Sequence, residues 1–446
     1  MLNMSKRFVV LPVLFVCFLS SPLQTESPLA QSLDWFRTYG GTENEFGYSV
    51  QQTSDSGYIV AAGSLLIKTD WSGDTIWTRH YTVPDYLWSE LYCVQQTYDS
   101  GYIAVGRGRS FSDPGDVILV KIDCSGETLW TRTHGGDSRD VGWSVQQTSD
   151  SGFVIAGLTE SFGAGGEDLY VMKTDPAGNS VWDSAYGGSA QDQGYSVRQA
   201  ADGGYIVAGW TASFGAGLID FYLIKIDPAG HLLWDSTYGG SSSERAFCVR
   251  QTFDGGYVAA GHRWVNGLQA CLIKTDSTGH TLWERLYGEG LFNDAWSIEQ
   301  TYDSGYIMCG LTNFLDPQES DLYLIKTDPS GHIVWSRIFG GQWEEGGYCV
   351  RQTADSGYIA AGYSSSYDGR DMDVYLVKVA PYQRGDVNRD GSIDIVDIVH
   401  LINYLFRNGP EPDPLQAGDV DCDTVIGLAD VVYLINYQFR GGPPPC

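Results

Sequence analysis

An all-β fold, a seven-bladed β-propeller of four-stranded blades followed by a small α-helical domain, is predicted by three features of this sequence. First, Tyr48-Ser-Val-Gln-Gln-Thr-Ser-Asp-Ser-Gly-Tyr58 recurs with small changes at Tyr92, Trp143, Tyr195, Phe247, Trp296 and Tyr348. Second, the period of about 50 residues is the length of four short strands with their turns. Third, the repeat is out of phase with the chain ends. A lone tryptophan strand, Asp34-Trp35-Phe-Arg-Thr-Tyr-Gly40, precedes the first repeat, and the last repeat stops at Asp373-Val-Tyr-Leu-Val-Lys378 without one. The first strand can therefore complete the last blade, and a closed ring exposes no sheet edge for aggregation.

Each repeat reads as four strands. After the recurring segment comes a small-residue strand such as Ile359-Ala-Ala-Gly362, then an alternating strand such as Asp321-Leu-Tyr-Leu-Ile-Lys-Thr-Asp328. A turn of the Pro329-Ser-Gly331 type leads into a tryptophan strand, which carries Trp35, Trp77, Trp130, Trp182, Trp234, Trp283 or Trp335. Abundant glycine (55) and tyrosine (28) suit short strands, tight turns and aromatic filling between sheets. Equivalent tryptophans in equivalent places are expected to pack blade on blade. The recurring Gln52, Gln96, Gln147, Gln199, Gln251, Gln300 and Gln352 are expected to satisfy backbone groups between blades. The turn aspartates, such as Asp55 and Asp303, are expected to fix turn geometry. Cys93, Cys248 and Cys349 stand where other repeats have serine and read as small buried fillers.

The strand order resembles that of a WD-repeat propeller over residues 34 to about 380, although the His and Trp-Asp signatures are missing. The Thr53-x-Asp55-x-Gly57 turn is similar to the structural Asp-box of sialidases. Both resemblances imply architecture, so function is expected where the repeats differ. The loops before the inner strands are acidic: Glu43, Glu45, Asp85, Asp137, Asp140, Asp192, Glu244, Asp294, Glu344 and Glu345. Arg107, Arg109 and His262-Arg263-Trp264 fall on the same expected face. Trp88, Trp210, Trp264 and Trp343 lie outside the seven-fold pattern and read first as loop packing, with sugar platforms as the alternative.

After Ala380-Pro381 the composition changes. In Gly385-Asp386-Val-Asn388-Arg-Asp390-Gly391-Ser392-Ile393-Asp394-Ile-Val-Asp397, oxygen ligands fall at loop positions one, three, five, seven, nine and twelve. These are Asp386, Asn388, Asp390, the Ser392 carbonyl, Asp394 and Asp397, the donor set that Ca2+ requires. Ile393 would anchor this loop, and Ile398 to Phe406 has helical apolar spacing. A second copy offers Asp419, Asp421, Asp423, the Val425 carbonyl and Asp430 before a helix at Leu428 to Phe439. Thr424 replaces its turn glycine and Gly427 removes the ninth side chain, so weaker binding is expected there.

Two calcium loop-helix units near a C-terminus resemble a type I dockerin domain, here over residues 385–446. The resemblance implies calcium-dependent folding and attachment to a cohesin-like scaffold domain, often in polysaccharide degradation. In that family small hydroxyl residues just before the last ligand help choose the cohesin. This chain has Ile395 and Val396, then Leu428 and Ala429, so the resemblance does not carry over which cohesin it takes.

The expected organisation is a secretory signal at 1–30, the propeller at 31–380, a linker at 381–384 and the calcium domain beyond. Lys6 and Arg7 precede an apolar Phe8 to Leu19, which is short for a bilayer span and typical of export. The protein is expected to be secreted, extracellular or cell-surface associated, with no direct membrane insertion. A formal net charge of −28 disfavours nucleic acid and anionic lipid. Of nine cysteines, Cys422 and Cys446 are the expected bridge, pinning the tail to the last module.

The sequence holds no nucleophile elbow, zinc-spaced histidines or phosphate loop. The leading reading is a non-catalytic propeller for ligand or protein binding, with polysaccharide or a cell-surface glycan as a candidate ligand. The alternative is a polysaccharide-active glycosidase with two loop carboxylates about 5 to 10 Å apart. No catalytic pair is assignable from the sequence.

Overall fold

The computed structural model describes residues 35–446 apart from 42, 85, 112–113, 289–292, 314–319, 368–370, 382, 389–391, 413–414, 424 and 446. The expected export signal therefore lies outside the described residues, as do Asp85, Asp390, Gly391, Thr424 and Cys446. No helix among the described residues is long and apolar enough to cross a membrane.

Seven separate four-stranded antiparallel sheets follow one another along the chain. Blades 1 to 6 have inner strands Ser49–Gln52, Trp88–Gln96, Asp140–Gln147, Asp192–Gln199, Glu244–Gln251 and Asn293–Gln300. Blade 7 takes Glu345–Gln352, Tyr358–Ser364 and Asp373–Val379 from one end of the propeller and Trp35–Tyr39 from the other. Trp35 pairs with Lys378 and Tyr39 with Val374, antiparallel, so the ring closes as the repeat phase predicts. The second and third strands of a blade, such as Tyr205–Thr211 and Asp220–Ile226, are buried throughout, because each sheet is covered by a blade on both faces.

Three rings of interblade contacts hold this arrangement. The outermost is aromatic: each tryptophan meets the first residue of the next blade's second strand. The pairs are Trp77–Tyr102, Trp130–Phe153, Trp182–Tyr205, Trp234–Tyr257, Trp283–Tyr306, Trp335–Tyr358 and, across the closure, Trp35–Tyr58. Centroid separations run from 5.6 Å for Trp335–Tyr358 to 6.2 Å for Trp77–Tyr102, within the favourable edge-to-face range.

The recurring glutamines form a second ring. Gln96 Oε1 accepts the Ser54 N–H of the preceding blade at 2.8 Å, and Gln52 closes the circle by accepting from Ala354 at 2.7 Å. The other five do the same. Each amide also donates through Nε2 to a carbonyl of its own turn, as Gln147 does to Ser151 at 3.2 Å. Both ends of the side chain are used, which is why an amide is needed.

The third ring revises the reading of the cysteines. Ser49, Ser144, Ser196 and Ser297 accept the next blade's backbone N–H, as Ser297 does from Val350 at 3.2 Å. Cys93, Cys248 and Cys349 instead donate Sγ–H to the next blade's carbonyl: Val145, Ile298 and Val50. The thiols are therefore weak donors in the same circle of contacts, as well as filling space.

Within each blade the turn aspartate binds a buried third-strand lysine, as in Lys225–Asp202 at 2.8 Å and Lys326–Asp303 at 2.9 Å. Burial raises the aspartate pKa, but bonds from lysine, the turn glycine and in most blades a threonine outweigh it. All seven carboxylates, from Asp55 to Asp355, are held below their ordinary value.

Beyond the propeller, α1 (Ile395–Arg407) and α2 (Leu428–Arg440) flank a short 3-10 turn at Leu415–Gly418. Their core pairs Val387 with Val420, Ile398 with Val431 and Leu401 with Leu434, each 33 residues apart. Ile393 packs against it, as expected, and so does its counterpart Ile426. Cys422 is disulfide-bonded to a partner outside the described residues.

A carboxylate with a depressed folded pKa contributes stability above its unfolded value of about 3.9 and loses it as pH falls through the folded one. Thermal unfolding of the propeller is therefore expected to be flat from pH 7 to 5 and to fall below about pH 4. Asp303→Asn should lower the transition at pH 7 and flatten the acid limb. An acid limb unchanged by this substitution would contradict the assignment.

Candidate functional sites: the channel collar and the calcium loops

The first residue of each recurring segment leaves the sheet register. In blades 2 to 7 a β-bulge falls at Tyr92, Trp143, Tyr195, Phe247, Trp296 and Tyr348. In blade 1, Tyr48 lies just before the inner strand. A bulge re-aims a side chain, and here six bulged aromatics join Tyr48 in one collar around a pocket of about 370 Å³ in the central channel.

Neighbouring rings touch all the way round. Phe247–Trp296 is the closest pair at 4.0 Å, and Tyr48–Tyr348 joins blades 1 and 7 at 5.5 Å. The remaining contacts link Tyr48, Tyr92, Trp143, Tyr195 and Phe247 in order, and Trp296 to Tyr348. Burial pushes the Tyr48 phenol up to about 12 and raises Tyr92, Tyr195 and Tyr348, so the collar is uncharged. Trp143 Nε1 and Trp296 Nε1 are buried with no hydrogen-bond partner among the described residues. His262 sits 5.3 Å from Phe247 and is bonded to Asp294 at 2.8 Å, adding a polar pair beside the rings.

The bulge explains a glycine in the sequence. Opposite it, a Cβ on Gly106, Gly157, Gly209, Gly261, Gly310 or Gly362 would lie 1.7 to 1.8 Å from a carbonyl oxygen of the bulged strand. Blade 1, whose register is regular, has Ala62 at that place. Glycine in the second strand thus accompanies an aromatic turned into the channel.

The acidic loops do something different from what the sequence suggested. Asp140, Asp192, Glu244, Asp294 and Glu345 are buried. Four of them accept a loop glycine N–H, as Glu345 does from Gly341 at 2.7 Å and Asp192 from Gly188 at 2.8 Å. Serines supply second bonds: Ser161 to Asp140, Ser213 to Asp192 and Ser364 to Glu345, each 2.7 Å. These carboxylates tie loops to blades. Glu43, Asp137 and Glu344 are exposed. Of the unpatterned tryptophans, Trp210 is buried under Arg245, whereas Trp88 and Trp264 are exposed and Trp88 is covered by Arg109 at 5.1 Å.

The calcium loops repeat one design at the 33-residue offset. Asp397 Oδ1 accepts from Val387 and Asn388, and Oδ2 from Asp394. Asp430 accepts identically from Val420, Asp421 and Gly427. The last ligand position thus draws each loop around itself and starts the following helix. Asp394 also caps α1 by accepting Val396 N–H at 2.6 Å, whereas Gly427 gives α2 no side-chain cap.

Asp386, at the first position of its loop, is buried. In the second loop one oxygen each of Asp419, Asp421 and Asp423 lie within 4.8 Å of one another. Val425, whose carbonyl is the expected seventh-position donor, is exposed. Asp419 Oδ2 takes a bond from Arg384 Nη1 at 2.8 Å, but its Oδ1 is buried without a partner among the described residues. Three clustered carboxylates with an orphan oxygen suit a hard divalent cation. Arg384, which sequence reasoning missed, joins the two loops.

A seven-bladed propeller carrying a paired loop-helix module is the class these features define. Residues 384–438 match the Dockerin type I domain family, so the C-terminal module is a type I dockerin, and such domains bind calcium through EF-hand-like loops. No curated protein matches the chain. Among solved structures, a chain of the mitotic checkpoint complex is similar at 11% identity and TM-score 0.50, covering 85% of this chain and 99% of that one. The Pan2 WD40 domain of Neurospora crassa is similar at 12% identity and TM-score 0.48, covering 79% and 98%. Identities this low show the propeller fold alone.

Removing calcium is expected to melt α1 and α2 while leaving the propeller folded, seen as lost helical circular dichroism with an unchanged strand signal. Asp386→Ala should reduce calcium affinity and helix content more than Asp421→Ala, because the second loop lacks a ninth-position ligand. Equal losses would refute the ranking of the two loops.

Proposed function

We propose that this chain is a tethered binding protein. The dockerin docks it on a cohesin domain of an extracellular scaffold, and the propeller offers its aromatic collar to a glycan. The observation that carries the reading is the collar: seven aromatics at one repeat position line the channel, six of them turned there by bulges. Aromatic side chains around a channel suit a sugar ring, which is apolar on its face and polar at its rim.

The tether has its own support. Ile395, Val399 and Phe406 on α1, and Leu428, Val432 and Phe439 on α2, are exposed and related by the same offset. Their i, i+4, i+11 spacing places each set on one helix face, and exposed apolar stripes of this kind are docking surfaces. The disulfide at Cys422 agrees with an oxidising, exported setting. The loop carboxylates that would serve a glycosidase are mostly buried blade ties, so no observation favours that alternative.

Calorimetry against a glycan panel, with calcium present, tests the collar. Trp296→Ala is expected to weaken the best ligand about tenfold, about 1.4 kcal/mol, and Gly209→Ala should weaken it by displacing Tyr195. Full affinity in folded Trp296→Ala protein would sink the reading. For the tether, Val399→Asp with Val432→Asp should abolish capture by a panel of type I cohesin domains while calcium-dependent helicity persists.

A further inference from the structure

The channel has a second mouth, where its chemistry is reversed. Below the collar each inner strand continues with Ser or Cys, then Val or Ile, one variable residue, and the recurring glutamine. In blades 1 to 7 the variable residue is Gln51, Gln95, Gln146, Arg198, Arg250, Glu299 and Arg351. The first three belong to the ring's bonding: Gln51, Gln95 and Gln146 each accept the backbone N–H of the next blade's recurring glutamine at 2.7 Å. Arginine has no acceptor. Blades 4, 5 and 7 therefore lack the interblade bond that blades 1 to 3 make.

What replaces it is a cluster of cations. Arg198, Arg250 and Arg351 line one cavity of about 320 Å³, with glutamines of blades 1, 2 and 7 on its other wall. Each guanidinium is anchored through Nη1 to the carbonyl of the residue before it: Val197 at 2.6 Å, Val249 at 2.8 Å and Val350 at 3.0 Å. Glu299 is the single carboxylate among the lining residues, 3.7 Å from Arg351. Three positive groups thus converge on one negative group, in a chain whose formal net charge is −28. Burial and the charges of Arg250 and Arg351 lower the Arg198 guanidinium pKa, whereas Cys349 and Glu299 raise that of Arg351 despite its burial.

We propose that this mouth binds an oxyanion group, a sulfate, phosphate or carboxylate, through the forked donors of Arg198, Arg250 and Arg351. Guanidinium forks match such groups in geometry as well as charge. Gln51 and Gln95 add Nε2 groups at the cavity wall that suit neighbouring hydroxyls of the same ligand. The site is separate from the collar and does not depend on the glycan reading.

Two probes test it on the full calcium-loaded chain: labelled sulfate by equilibrium dialysis, and a uronic-acid disaccharide by calorimetry. Sulfate is expected to bind at one per chain and to weaken with added sodium chloride. In Arg198→Gln/Arg250→Gln/Arg351→Gln the affinity should fall at least tenfold. That variant carries the residue blades 1 to 3 use in the same column, so its thermal unfolding is expected to match the parent. Trp296→Ala should leave sulfate binding intact, which separates failure of this site from failure of the collar. Tighter binding of the disaccharide than of sulfate identifies an acidic sugar end as the source, and equal binding a free oxyanion. If neither probe binds, or if both bind the folded triple variant as well as the parent, the assignment is overturned.

Discussion

Five backbone pairs between Trp35–Tyr39 and Val374–Lys378 are the constraint on which the propeller depends. They give blade 7 its outer strand, bring Trp35 onto Tyr58 and so complete the aromatic ring between blades. The glutamine and serine–cysteine rings also cross this joint, through Gln52 to Ala354 and Cys349 to Val50. Both mouths of the channel are properties of the closed circle, because their lining residues come from inner strands of blades all round the ring. The cost of closure grows only slowly with loop length, but the contact is about as non-local as the chain allows, which slows folding.

The repeat made the architecture legible because every copy solves the same packing problem. The glutamine column could be read for its role, since a buried amide recurring at one place must have partners, and both its ends proved to be used. The acidic loops were misread for an equally physical reason. A sequence shows that Asp140, Asp192 and Glu345 are charged, but not that loop glycines and serines fold over them. The collar was in view as the first residue of every repeat. Its significance needed the bulge, a change of register that leaves only a trace: Gly106, Gly157 and their equivalents, with Ala62 where the bulge is missing. The arginine column was equally visible in the letters, and only the ring shows that Arg198, Arg250 and Arg351 meet.

The dockerin shows the same tension between repetition and departure. Its two halves share ligand positions, core pairs and exposed helix faces at one offset, so nearly everything about them could be read from spacing. The differences lie at single residues. Gly427 removes a ligand side chain and a helix cap together, so the second half depends more on its partner. Arg384, outside both loops, reaches across to Asp419 and makes the first ligand of one unit contingent on the chain that enters the other.

The strand next to the dockerin is Asp373–Val379, and it is an interior strand, bonded to Tyr358–Ser364 on one side and Trp35–Tyr39 on the other. Any force applied through the dockerin would enter the propeller there. Force along an interior antiparallel strand loads both ladders in shear, so many bonds must fail together instead of opening one at a time. By lending its first strand to cover its last, the chain has put its mechanical anchor in the middle of a sheet and kept the peelable edge away from the rope.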